Sequence, residues 1–97
     1  MPEDWTFLTN HAHVLLAIAR DPTLRLRDIA DLVGITERTA VGIVSDLERA
    51  GYIRREKVGR RNHYVLNPDL PMRHPLEAHH EVGQLLAAIE HSSSRPT

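Results

Sequence analysis

The stretch Leu26-Arg27-Asp28-Ile29-Ala30-Asp31-Leu32-Val33-Gly34-Ile35-Thr36-Glu37-Arg38-Thr39-Ala40-Val41-Gly42-Ile43-Val44 decides the fold. Ile29, Ala30 and Val33 recur at helical spacing, so Arg27 to Val33 reads as a short amphipathic helix. Gly34 stops it, because the residue after a helix often takes the left-handed conformation that glycine adopts without strain. Thr36 then opens a second helix as N-cap, its hydroxyl accepting from an orphan amide of the first turn. Ala40, Ile43, Val44 and Leu47 carry the apolar stripe toward Ala50, and Gly51 is the next stop. Ala30 is small where the helices cross, and Ile35 fills the gap between them. Such a crossing leaves the N-terminal half of the second helix outward.

Upstream, Thr6 to Arg20 reads as a helix with two adjacent stripes, Leu8, Ala12, Leu15, Ala19 and Phe7, His11, Val14, Ile18. A helix apolar on two sides needs two partners: its own core and a second subunit. Asp21-Pro22 ends it, since proline disfavours the helical conformation in the residue before it. Leu24-Arg25-Leu26 alternates like a three-residue strand. Downstream, Tyr52 to Lys57 and Asn62 to Leu66 form a hairpin around Val58-Gly59-Arg60-Arg61. Two prolines, Pro71 and Pro75, make Asp69 to Pro75 a loop, and a last helix is expected from Leu76 to about His91. Its stripes are Leu76, Gly83, Leu86, Ala87 and Val82, Leu85, Ile89. Residues 92–97 read as a flexible tail.

Ninety-seven residues with 41% apolar and 26% charged side chains suit one small domain. A chain of this length buries only about 60–65% of its unfolded surface, which leaves a monomer marginal. No cysteine is present, which excludes disulfides, thiolate nucleophiles and cysteine-ligated metals. The longest apolar run, Val14 to Ala19, is too short to cross a membrane. The acidic start Met1-Pro2-Glu3-Asp4 leads into no signal-like apolar segment, so the cytoplasm is the expected location. The net charge of −1 conceals an asymmetry. Residues 36–65 carry seven bases against four acids, while the segments on either side are each net −2. A basic patch on a near-neutral chain suggests an anionic partner docking on one face.

The order helix, short strand, helix, turn, helix, two-stranded ribbon, helix is that of a winged helix-turn-helix, a mainly α fold with a small β-hairpin. The runs Asp28-Ile29-Ala30, Gly34-Ile35-Thr36, Asp46-Leu47-Glu48-Arg49-Ala50-Gly51-Tyr52-Ile53 and Gly59-Arg60-Arg61-Asn62-His63-Tyr64 occur in the order found in winged helix-turn-helix transcriptional regulators. Over residues 6–67 the chain resembles that MarR/ArsR-like superfamily. The resemblance implies sequence-specific binding of double-stranded DNA as a homodimer, with the first helix and the segment 75–91 pairing the subunits. The dimer contact is then expected from Phe7, His11, Val14, Ile18, Val82, Leu85, Leu86 and Ile89. On the second helix of the motif, Thr36, Arg38, Thr39, Val41 and Ser45 are the candidates for contact. Arg38 is suited to a guanine edge and Val41 to a thymine methyl. Gly42 lets the helix approach closely but reads no base, so DNA shape is expected to share the discrimination. In the ribbon, Arg54, Arg55, Lys57, Arg60, Arg61, Asn62 and His63 suit phosphate or minor-groove contact, and Arg25 and Arg27 suit the backbone. Some of these bases are instead expected to pair with Glu56, Glu48 or Asp28.

His80 and His91 lie eleven residues apart, which on one continuous helix puts them on one face. They are the candidates for a metal, with Glu77, Glu81 and Glu90 nearby, but lone helical histidines are more often surface or interface residues, and neither a metal nor another cofactor is expected. No nucleophile, acid–base pair or metal-water motif stands out, so an enzyme is not expected. The rival readings are a winged-helix module that binds protein and a regulator that senses a metal or a small-molecule effector between subunits.

Overall fold

The computed structural model describes residues 5–94, with the side chains of 91–94 left out. Its elements are α1 (Asn10–Arg20), α2 (Leu26–Val33), α3 (Glu37–Ala50), β1 (Ile53–Val58), β2 (Arg61–Leu66) and α4 (Val82–Ser94). The winged helix expected from the sequence is therefore present, with differences at four places.

Helix α1 begins at Asn10 rather than Thr6. The Thr9 hydroxyl accepts the Ala12 amide at 3.3 Å and so caps the helix, leaving Trp5 to Leu8 outside it. Between α1 and α2 the expected strand is absent. Asp21 Oδ1 accepts both the amide and the hydroxyl of Thr23, at 3.0 and 2.7 Å, which curls the chain into a turn. Among the described residues one backbone rung joins this turn to the hairpin, from the Tyr64 amide to the Pro22 carbonyl at 2.9 Å. The sheet of the described residues therefore has two strands.

The α2–α3 unit forms as the sequence dictates. Gly34 takes φ +87°, and its amide reaches the Ala30 carbonyl at 2.8 Å. Thr36 caps α3 through the Thr39 amide at 3.0 Å. Gly51, at φ +90°, ends α3 and turns the chain into the hairpin. Ile53 pairs with Leu66 and Val58 with Arg61, so the turn is the two-residue Gly59-Arg60, tighter than the four residues expected. Glycine is favoured at its first position, where φ is +64°.

Helix α4 starts at Val82, six residues later than expected. The intervening chain is committed elsewhere. The Met72 amide bonds the His80 carbonyl at 3.0 Å, the Val82 amide bonds Leu70 at 2.8 Å, and the Gly83 amide bonds Pro68 at 2.9 Å. Residues 71–81 thus form a closed loop with Pro71 bridged to Glu81 and two tight turns inside. His80 lies in this loop, so it shares no helical face with His91, whose side chain lies outside the described residues. At the other end the helix runs on to Ser94, through the first half of the expected tail; residues 95–97 lie outside the described residues.

One core joins these elements. Val14, Ile18, Ile29 and Val44 are its fully buried centre, ringed by Leu15, Ile43, Leu47, Tyr52, Ile53, Tyr64, Val82 and Leu86. This corrects the expected dimer contact. Val14, Ile18, Val82 and Leu86 are spent on the chain's own core and offer no second face. Phe7, His11, Leu85 and Ile89 remain accessible to varying degrees.

Of the glycines, Gly83 is the one most closely approached by neighbouring chain. A Cβ there would stand 2.7 Å from the Pro68 side chain and 2.8 Å from its carbonyl oxygen. Gly83→Ala should therefore destabilise the chain by roughly 1–3 kcal/mol, although alanine is the better helix former. Denaturant unfolding of the two proteins checks this, and an unchanged midpoint would contradict the close packing.

Candidate nucleic-acid interface

The stripe Ala40, Ile43, Val44 and Leu47 anchors α3 in the core, which turns its opposite side outward. Arg38 and Val41 stand exposed there, Val41 at 48%. Gly42 lies beside them with open space above it. Thr36 and Thr39 are exposed, but their hydroxyls are engaged with each other at 2.9 Å in the cap. Ser45 is half-buried. The exposed N-terminal half of this helix therefore presents the Glu37 carboxylate, the Arg38 guanidinium, the branched Val41 side chain and the gap at Gly42, with Arg49 exposed near its other end.

The basic residues around the ribbon fall into two groups. Arg54 pairs with Glu56 at 2.6 Å, which holds the Glu56 carboxyl below its ordinary range. Arg55 grips Glu48 of α3 with two nitrogens, Nη2 to Oε1 at 2.9 Å and Nε to Oε2 at 3.2 Å. Arg61 donates from Nη2 to the Thr23 carbonyl at 2.8 Å. By contrast, the side chains of Arg27, Arg38, Lys57 and Arg60 are exposed and make no hydrogen bond or ion pair among the described residues. Asn62 and His63 are half-buried in β2, His63 opposite Glu56.

A cleft of about 360 Å³ opens between the α1–α2 turn and the ribbon. Arg25, Arg60 and Arg61 line it together with Thr23 and Asn62. Arg25 sits just before α2, where its amide bonds the Asp28 carboxylate at 3.4 Å. The cleft is cationic with one acid close by. Hydrogen bonds from Thr23 chiefly, then the charges of Arg61 and His63, hold the Asp21 carboxyl below its usual range.

A second concavity, about 620 Å³, is apolar and open. Phe7, Leu8, Leu15, Leu47, Met72 and Leu85 line it between α1, the end of α3, the 71–81 loop and α4. Phe7 is 92% exposed beside it and meets Trp5 edge-on, with ring centroids 5.2 Å apart. At its edge His11 Nε2 meets Asp46 Oδ2 at 2.8 Å, joining α1 to α3. Among the described residues no group of three or more histidines and carboxylates converges as a metal site.

Sequence reasoning missed the acceptors that hold the ribbon, the carbonyls of Pro22 and Thr23, because a backbone carbonyl carries no residue signature. It also missed Met72 as part of the apolar groove. A methionine between Pro71 and an otherwise polar loop was the available signal.

Three helices, a capped crossing and an arginine-bearing ribbon define the winged-helix class. The sequence profile of the MarR family matches residues 6–61, and the chain belongs to that family. Among solved structures it is similar to MepR, a transcription regulator of the Staphylococcus aureus multidrug efflux pump MepA, with a TM-score of 0.55 and 21% identity. That match covers 88% of this chain and 58% of MepR, and at this identity it speaks for the fold alone. No curated protein matches the sequence. No helix of the described residues is long and apolar enough to cross a membrane.

The Asp46 carboxyl lies below its ordinary 3.8, chiefly through the His11 hydrogen bond and then through Arg49. A depressed carboxyl pKa contributes stability above the unfolded value, and the contribution disappears as pH falls through the folded one. The unfolding midpoint should therefore drop below about pH 4, and Asp46→Asn should flatten that part of the profile. An identical acid limb in both proteins would show that the His11–Asp46 contact adds nothing.

Proposed function

We propose that this chain is a sequence-specific DNA-binding transcriptional regulator that acts as a homodimer. Helix α3 enters the major groove, while the ribbon lies along the backbone and the adjoining minor groove. The observation that carries this reading is that Arg27, Arg38, Lys57 and Arg60 are exposed around α2, α3 and the ribbon and have no partner among the described residues. On a chain of net charge −1, exposed cations left unpaired around an outward helix and its neighbouring ribbon suit a polyanion. Arg38 has the donors for a guanine edge and Val41 the surface for a thymine methyl. The cleft of Arg25, Arg60 and Arg61 suits a backbone phosphate, which positions the protein without reading sequence. With Thr36 and Thr39 occupied by the cap and Gly42 bare, few side chains read bases, and DNA shape supplies part of the discrimination.

Selection of bound duplexes from a random pool, followed by titration at several salt concentrations, tests this reading. Binding should weaken steeply with salt as phosphates are neutralised. Arg38→Ala should cost about 1–3 kcal/mol at one base pair of each half-site and relax the preference there. Lys57→Ala with Arg60→Ala should weaken binding to all sequences and lower the salt slope by about 0.9 per lost phosphate contact. No binding to any duplex at low salt would favour the protein-interaction reading instead.

The apolar groove supports the dimer. A surface built from Phe7, Leu8 and Leu85 is costly to leave in water for a chain this small. A dimer formed there would read two half-sites about one DNA turn apart if its two copies of α3 stand near 34 Å from each other. Leu85→Asp should convert a sedimenting dimer into monomer and weaken operator binding. The groove also has a volume in the range of small-ligand sites, which keeps an effector as the second reading. A monomeric wild-type chain whose melting temperature rises with a small apolar compound would favour that occupant.

A further inference from the structure

We infer that Arg55, despite its place in a basic ribbon, does not touch nucleic acid but acts with Glu48 as a strut that fixes the angle of the ribbon to α3. The functional half of this inference rests on the DNA-binding reading above. Arg55 presents Nη2 and Nε to the two carboxylate oxygens of Glu48 at 2.9 and 3.2 Å, the planar fork that arginine forms and lysine cannot. Both side chains are only about a third exposed, and the guanidinium carbon lies 5.8 Å from the centre of the Tyr64 ring.

Register gives the contact its leverage. Arg55 pairs directly with Tyr64 across the ribbon. The Tyr64 amide is bonded to the Pro22 carbonyl, and Arg61 of the same strand bonds the Thr23 carbonyl. One strand is thus tied to α3 and the other to the α1–α2 turn. Gly59 lies four residues beyond Arg55, about 13 Å along an extended strand. A 10° swing about Arg55 therefore moves the tip, with Lys57 and Arg60, by about 2 Å, enough to break a hydrogen bond to a phosphate. For Arg55 itself to reach a phosphate, it would have to abandon both oxygens of Glu48. That carboxylate would then be half-buried, unpaired and close to another anion. Arg54 is the contrast: it sits on the opposite side of the strand and pairs within it, to Glu56, so it ties the ribbon to nothing else.

Charge exchange separates a strut from a contact. The duplex affinity and the amide exchange of residues 53–66 are measured for Arg55→Glu, Glu48→Arg and the double exchange. Each single change should weaken binding at least about tenfold and raise ribbon exchange. The double exchange should bring affinity back to within about threefold of wild type and return exchange to normal, although it places an acid on the ribbon. Arg55→Lys keeps a cation but loses the fork, so it should also weaken binding. Recovery of exchange without recovery of affinity in the double exchange, or full affinity in Arg55→Lys, would make Arg55 a direct contact and overturn the inference. Unchanged exchange in both single variants would overturn it as well. If the wild-type chain binds no duplex, the DNA-binding reading fails, and ribbon exchange alone decides whether the strut exists.

Discussion

The crossing of α2 and α3 is the constraint on which the rest of the molecule depends. Ala30 and Ala40 are almost wholly buried, which lets the two helices approach closely. Gly34 makes the turn between them at φ +87°, where an L side chain would be strained. The Thr36 cap then sets where α3 begins. Once these local choices are made, the apolar stripe of α3 has one way to face, toward Val14, Ile18 and Ile29. Arg38 and Val41 are outward as a consequence. The surface assigned to DNA is the back of a packing solution.

The cations of this chain divide between those engaged with its own acceptors and those left open. Arg54, Arg55 and Arg61 are engaged with Glu56, Glu48 and the Thr23 carbonyl, while Arg27, Arg38, Lys57 and Arg60 are left open. Exposed ion pairs each contribute little, about 0–1 kcal/mol, so the engaged arginines matter less for global stability than for pose. A two-stranded ribbon is marginal by itself and needs packing to hold an orientation. Here Ile53 and Tyr64 bury one side of it, and polar ties at the Glu48 carboxylate and the Pro22 and Thr23 carbonyls restrain its swing.

The parts legible in the sequence are those decided within a few residues. Thr36, Gly34, Gly51 and Gly59 announce caps and turns by their own chemistry, and α2, α3 and the ribbon fall within a residue or two of where they were expected. The parts misread are those decided by distant chain. Leu76 to Glu81 has a plausible helical pattern, yet the carbonyls of Pro68 and Leu70 take the amides that set where α4 starts. Leu24 to Leu26 alternates like a strand, but the Asp21–Thr23 turn curls its approach. The stripe holding Val14 and Ile18 reads as surplus apolar area only if a helix of a small domain buries a single side. Those residues lie at the centre of the core, where α1 meets α2 and α3. The basic ribbon was legible as charge but not as partnership, since sequence spacing does not reveal that Glu48 lies opposite Arg55.

The α1–α2 turn links the two halves of the proposed function. Pro22 and Thr23 follow directly on α1, and their carbonyls hold the Tyr64 amide and the Arg61 guanidinium. The apolar groove lies along α1 on its other flank, with His11 reaching Asp46 of α3 at its edge. A body that fills the groove therefore bears on the same helix that anchors the ribbon. In the proposed dimer, α1 is held by the partner, and the ribbon inherits that rigidity through two hydrogen bonds at the end of the helix. Displacement of α1 by even an ångström at the groove would reach the ribbon through the turn, because the core between them is packed and transmits strain rather than absorbing it. In the proposed regulator, pairing of subunits and seating of the ribbon on DNA would share this one helix and the turn that follows it.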